Sequence, residues 1–232
     1  MEGKDLSRYG MPKTDKYVIL IPNGYTNSNL KKNQKAWEWF YSTYTPIAKH
    51  LQSYEQKAKA RYDQGDYWWE LRACDYYDKF ELPKICWGNL SAEAPFTVDR
   101  KKYSVNAPAC ILPVENLFVL GCLNSKLLWW FLKDIAAGRA GGFIEAKPIY
   151  VQQLPIRTIN FEDAQDKSRH DHIVKLVEQM LDVKEKLGNA KTEAETNRFE
   201  MQCQTLDRQI DEAVYELYGL TPEEITIVEG KA

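Results

Sequence analysis

Arg139, Glu145 and Lys147 fall within one short stretch, separated by the small residues Ala140-Gly141-Gly142. Small neighbours let a backbone approach a bulky partner closely, and a guanidinium can fork onto guanine or phosphate. The same placement suits a helix C-terminus with a cation near the negative end of its dipole. Spacing alone leaves both readings open. Glu145 could accept a hydrogen bond from a cytosine amino group. With Asp134 upstream, Glu145-x-Lys147 also has the skeleton of a metal-dependent nuclease, in which carboxylates hold Mg²⁺ and a lysine orients the attacking water. Against that, Asp134 lies near the end of an apolar helix, whereas that chemistry wants its carboxylates at neighbouring strand ends, and Glu-x-Lys is a common triplet.

Arg100-Lys101-Lys102 is a basic cluster between short apolar runs. It could sit on phosphates, where each contact adds affinity without reading sequence, or it could be a solvated hairpin tip. Trp68-Trp69, with Tyr76-Tyr77 close behind, offers a stacking platform for bases or sugars, but core packing is the commoner use of such rings. Arg72 follows in the same run and joins the group of residues expected to face a polyanion. His170 and His172 stand two apart at a helix start, where i and i+2 point in different directions, so they read as polar residues and not as a metal pair. There is no GxGxxG, no phosphate-loop lysine motif, no GxSxG and no HExxH.

These residues need elements to position them. Tyr17–Ile21 is an apolar run closed by Pro22-Asn23-Gly24 and predicts a strand and turn. Thr45 as N-cap with Pro46 at the first position opens a helix, with Ile47, Leu51, Tyr54 and Ala58 as its buried stripe. Strands are expected at Lys84–Gly88, Thr97–Val98, Tyr103–Val105 and Ala109–Leu112. A single helix is expected over Leu117–Ala137, and an extended segment over Phe143–Ile156. Beyond Asp166 the period becomes helical. Ile173, Val177, Met180 and Leu187 line one helix, while Phe199, Cys203, Leu206, Ile210, Ala213 and Leu217 repeat at the spacing of a coiled-coil seam. Gly188-Asn189 between them predicts an antiparallel hairpin, and Thr221-Pro222-Glu223-Glu224 is a capping box for one more short helix.

Charge divides along the same line. Residues 1–157 carry 22 Lys/Arg against 16 Asp/Glu, and residues 158–232 carry 9 against 17, so the near-neutral total of −2 conceals a basic front and an acidic rear. That asymmetry points to an anionic partner for the front alone. The expected fold class is therefore α+β: a mixed α/β body over 1–157, then a helical hairpin over 158–232. No run of 18 apolar residues exists, and the start Met1-Glu2-Gly3-Lys4-Asp5 lacks the apolar core of a secretory signal. Five cysteines without a CxxC pair suggest reduced thiols and a cytoplasmic setting.

Several segments together resemble a known family. Gly65-Asp66-Tyr67-Trp68-Trp69-Glu70-Leu71-Arg72, then Cys74-Asp75-Tyr76-Tyr77 and Pro83-Lys84-Ile85-Cys86-Trp87-Gly88, resemble the TaqI-like C-terminal specificity domain of adenine-specific DNA methyltransferases and combined restriction–modification enzymes. Leu120-Gly121-Cys122-Leu123-Asn124-Ser125-Lys126-Leu127 is similar to its "LLGxLNSKL" helix, and Gly141-Gly142-Phe143 with Tyr150–Ile156 to its closing strand. The tail from Ile210 through Gly219 to Gly230 resembles the usual end of these enzymes.

The resemblance implies a target-recognition domain for double-stranded DNA. It also implies a helical spacer or docking hairpin that meets upstream methyltransferase or nuclease domains. The family's S-adenosylmethionine site, and Mg²⁺ where the parent also cuts, belong to those other domains. No Pro-Pro pair occurs here, so the expectation is a non-catalytic fragment or subunit, monomeric by itself, with no membrane association and no cofactor of its own. The expected DNA-facing residues are Trp68, Arg72, Arg100, Lys101, Lys102, Arg139, Glu145 and Lys147. The alternatives are a protein-interaction module acting through the hairpin seam, and hydrolysis by the Asp134, Glu145 and Lys147 set.

Overall fold

The computed structural model describes residues 1–10 and 12–231. It has 51% helix and 7% strand, in small antiparallel sheets with a long pair of C-terminal helices, and the class is α+β. Two compact units emerge from the contacts: Lys16–Asp78, and Met1–Asp15 together with Lys79–Ala232.

The unit Lys16–Asp78 is built on aromatic rings. Its helices are α1 (Tyr25–Asn29), α2 (Ala36–Thr43), α3 (Thr45–Gln52) and α4 (Glu55–Lys59). Ile21, Phe40, Ala48 and Trp69 are buried, and Tyr25, Trp37, Trp39, Tyr44 and Trp68 pack around them. The Trp69 ring stacks on Tyr67 at 4.7 Å and on Phe40 at 5.6 Å. The fully buried Glu70 accepts the backbone N–H of Thr26 at 2.8 Å and of Gly24 at 3.2 Å, at the start of α1. Those are orphan helix-start donors, and a buried carboxylate needs such partners. Arg61 closes the other side by donating to the Trp68 and Glu70 carbonyls.

Sequence expectations fail in two places within this unit. Tyr17–Ile21 forms no strand: among the described residues its backbone meets Leu71, whose N–H donates to the Ile21 carbonyl at 2.8 Å, and Tyr17 through Leu20 stay exposed. Thr45 is already inside α3 and donates its hydroxyl to the Tyr41 carbonyl. The buried face runs through Ala48, leaving Ile47 and Tyr54 exposed. Of the expected stripe Leu51 does pack against this core, and the single helix expected here is two, α3 and α4, parted after Gln52.

The other unit has a small sheet of order β3-β1-β4, from β1 (Lys84–Trp87), β3 (Thr97–Asp99) and β4 (Cys110–Leu112), all antiparallel. Cys86 lies opposite Thr97 on one side and Ile111 on the other. A second pair joins β2 (Leu90–Ser91) to β5 (Ile144–Glu145). Tyr103–Val105 is not a strand; the neighbouring Asn106 N–H is taken by the Met1 carbonyl.

The expected helix over Leu117–Ala137 is two helices, α5 (Leu117–Asn124) and α6 (Lys126–Ile135). The break has a chemical cause. Asn124 is buried and exchanges two hydrogen bonds with the backbone of Phe96, while Ser125, in an extended conformation, caps α6 through the Leu128 N–H. Phe143–Ile156 is likewise not one extended segment: β5 gives way to α7 (Pro148–Val151), opened by a proline at its first position.

The rear helices are α8 (Ala164–Gly188), α9 (Glu193–Tyr218) and α10 (Pro222–Val228), the last two each opened by a capping box. Ile173, Val177 and Met180 of α8 and Cys203, Leu206, Ile210, Val214 and Leu217 of α9 are buried in one core with Ile85, Phe96, Leu120 and Leu128. A Cβ on Gly121 would stand 2.8 Å from Val177 and 2.9 Å from Ile173, so α8 approaches α5 at a point only glycine allows. The hairpin seam is thus spent inside the chain. All five cysteines are free thiols, and burial pushes those of Cys86 and Cys122 up to about 12. Among the described residues no helix is long and apolar enough to cross a membrane.

Candidate nucleic-acid interface

The loop between α6 and β5 is held by backbone bonds. Arg139 N–H donates to the Phe143 carbonyl at 2.7 Å and Glu145 N–H to the Ala137 carbonyl at 2.9 Å, with Gly138 opposite Ile144 between them. Gly141 and Gly142, both with φ near +78°, turn the chain at the tip, a conformation in which a side chain is strained. In this register Arg139 and Glu145 are diagonal neighbours on one face, within reach of long side chains. Past the turn, side chains alternate. Ile144 and Ala146 are buried, whereas Phe143 is exposed. The Trp87 indole N–H donates to the Ala146 carbonyl at 2.6 Å, which fastens β5 to β1.

The outward side chains meet one another. Arg139 donates through Nε, at 3.0 Å, and through Nη2 to the same Glu145 oxygen, Oε1. Lys147 Nζ lies 2.5 Å from the other oxygen, Oε2. Side-chain exposure is 13% for Glu145 against 54% for Arg139 and 45% for Lys147. The carboxylate is therefore the recessed member, and both cations stand out past it. Hydrogen bonds from Lys147 and then Arg139 hold the Glu145 carboxyl below its usual range.

Arg100, Lys101 and Lys102 follow β3 and are organised differently. Asp99, just inside, is buried and accepts the Lys101 N–H at 2.9 Å and the Tyr103 N–H at 2.8 Å. It also pairs with Lys84 Nζ at 2.7 Å, both side chains being essentially inaccessible. Lys84 further donates to the Phe80 carbonyl. Lys102 takes a positive φ of 60° to complete the turn. The Lys101 and Lys102 side chains are exposed, and Arg100 Nε reaches Glu115 at 2.6 Å.

Trp68 and Arg72 belong to the unit Lys16–Asp78. Arg72 is exposed. Trp68 is half-buried: it packs on Trp37 at 4.9 Å and walls a mainly apolar groove of about 420 Å³ with Tyr54, Lys57, Leu51 and Trp69. Trp68 thus packs into the aromatic core and also borders an open groove.

Of the expected residues, Arg139, Glu145 and Lys147 come together, and Arg100–Lys102 form a turn of their own. Asp134 is exposed on α6 and belongs to no metal-binding group: among the described residues no cluster of three or more His, Cys, Asp or Glu could hold an ion. Sequence reasoning missed Asp99 and Lys84, which fix the basic turn from below. A lysine inside the apolar run Ile85-Cys86-Trp87, with an acid ending the next strand, was the available signal.

No curated protein matches the chain. Residues 1–156, which contain the aromatic unit, both sheets, α5 to α7 and all eight of the expected DNA-facing residues, match the family described as the TaqI-like C-terminal specificity domain, and the chain belongs to that family.

Proposed function

We propose that this chain is the part of a restriction–modification system that recognises a particular sequence in double-stranded DNA and directs adenine-N6 methylation by catalytic domains outside it. The observation that carries the reading is the exposed cation pair Arg139 and Lys147, held on a fastened β-turn within the specificity-domain match. Arg139 and its neighbours reach base edges, and Arg100, Lys101 and Lys102 lie on phosphates; Trp68 and Arg72 are DNA contacts assigned separately, to the unit Lys16–Asp78. Residues 1–157 do the reading, and residues 158–232 serve as strut and docking surface for the methyltransferase or nuclease domains. S-adenosylmethionine, and Mg²⁺ where the parent also cuts, are held by those domains; no residue of this chain is assigned to either.

Selection from a library of random duplexes at low salt tests the reading. It should return a defined motif, and Arg139→Ala should weaken binding to that motif by about 1–3 kcal/mol while relaxing one base pair. A pool that shows no enrichment after repeated selection would remove the proposal.

A further inference from the structure

Glu145 has the chemistry of a base reader, but its geometry gives it other work. One oxygen takes two donors from Arg139 and the other takes Lys147, so a cytosine amino group would have to compete for a recessed, already neutralised carboxylate. Arg139 keeps what Glu145 does not use. Its guanidinium has five N–H donors, and the edge formed by Nε and Nη2 faces Glu145. The opposite end, Nη1 with the second hydrogen of Nη2, is not engaged by Glu145, and the Arg139 side chain as a whole is 54% exposed. That free end is a fork matching O6 and N7 of guanine, two acceptors on one base edge in the major groove.

We infer that Glu145 is a positioning residue. It fixes the Arg139 side chain so that its free end addresses one guanine, and the target sequence therefore contains a G·C pair read by Arg139. A long side chain locked before binding loses less entropy when its hydrogen bonds form. Lys147 on the other oxygen balances the charge and keeps Glu145 from drawing Arg139 inward. The backbone bonds at Ala137 and Phe143, with Trp87 beneath, keep the donor and its support in register.

This rests on the proposed DNA-reading function, and one distinctive signature separates the two. Glu145→Gln keeps the shape of the side chain but removes a negative charge from the interface. Affinity for random duplex should rise, because the local charge becomes more positive. Discrimination at the Arg139 base pair should fall, by about tenfold or more, and nowhere else. A mere loss of folding would lower both.

The experiment measures the 232-residue chain and its Arg139→Ala, Glu145→Gln and double variants against the selected motif, every single-pair change of it, and a random duplex. The expected result is a G·C pair whose discrimination is lost in Arg139→Ala, lost to a similar extent in Glu145→Gln, and lost no further in the double variant. Should Glu145→Gln relax a different pair, or leave discrimination intact, the positioning role is overturned while DNA reading stands. An A·T pair at the Arg139 position overturns the guanine assignment. A wild-type chain that prefers no duplex overturns the functional reading and this inference with it.

Discussion

Asp99 and Glu145 each sit among cations, and they use them in opposite ways. Asp99 is buried, pairs with the equally buried Lys84, and spends its remaining bonds on the backbone of the turn, so the Lys101 and Lys102 side chains are left free. Glu145 lies nearer the surface and spends its bonds on the side chains themselves, so Arg139 and Lys147 are placed. Exposed cations held by no carboxylate suit phosphate, which asks only for charge nearby, whereas a base edge asks for donors at fixed positions. Under the proposed function, the carboxylate beneath the turn would serve a phosphate grip and the one between side chains a reader.

The sharpest way to break this contrast is to remove Asp99. Asp99→Ala would leave the buried Lys84 ammonium with backbone carbonyls alone, and an uncompensated buried charge costs about 3–5 kcal/mol. Urea unfolding should show that loss. Glu145→Gln, at the surface, should cost far less at neutral pH than Asp99→Ala does. If the two substitutions cost alike, the distinction between foundation and presentation is wrong.

Trp87→Phe comes next. It deprives the Ala146 carbonyl of its donor inside the core, and an orphaned buried acceptor costs about 1–3 kcal/mol. It should also slacken the segment that carries Glu145, so discrimination among duplexes should fall with stability. Duplex binding measured beside urea unfolding checks both. The basic turn should be indifferent, keeping the salt dependence of binding unchanged.

A smaller effect falls on binding alone. Replacing both Lys101 and Lys102 by alanine should lower the slope of log K against log salt by about 2, since each phosphate contact contributes about 0.9. The choice of base pairs should stay as it was. Titrations at several salt concentrations decide it; an unchanged slope would take those lysines off the phosphates.

How far the chain could be read in advance follows from what fixed each element. The rear hairpin was legible because its signals are local: seam spacing along α8 and α9, the Gly188-Asn189 turn between them, and the capping box at Thr221. Leu117–Ala137 was legible as helix but not as two helices, because Asn124 breaks it by bonding to Phe96, a partner 28 residues away. Tyr17–Ile21 had the composition of a strand and lacked only a neighbour to pair with. Arg139, Glu145 and Lys147 were visible by type and spacing, but their grouping depends on the register of residues 137–145, which two left-handed glycines set. The Asp99–Lys84 pair shows the same limit, since only the pairing of β1 with β3 brings those residues opposite each other.

A third carboxylate turns the contrast into a pH experiment. Asp211 on α9 is 3% exposed and accepts the Lys126 N–H at 2.8 Å, at the start of α6, with Lys126 Nζ 3.6 Å away. Burial outweighs those partners and raises its carboxyl above the usual value. Between the ordinary aspartate value, about 3.9, and that raised one, the folded chain keeps a proton that the unfolded chain releases. Stability from this site therefore falls as pH climbs through the window, and the loss is complete above it. Glu145 has the opposite sign. Its carboxyl is lowered by Lys147 and Arg139, so its contribution is complete above the ordinary glutamate value, about 4.3, and disappears as pH drops through the lowered one. Urea midpoints from pH 3 upward should separate them: relative to the parent, Asp211→Asn should gain stability as pH rises toward neutral, and Glu145→Gln should lose it. Parallel curves for both variants would mean that neither burial at Asp211 nor the paired cations at Glu145 govern how these acids are held.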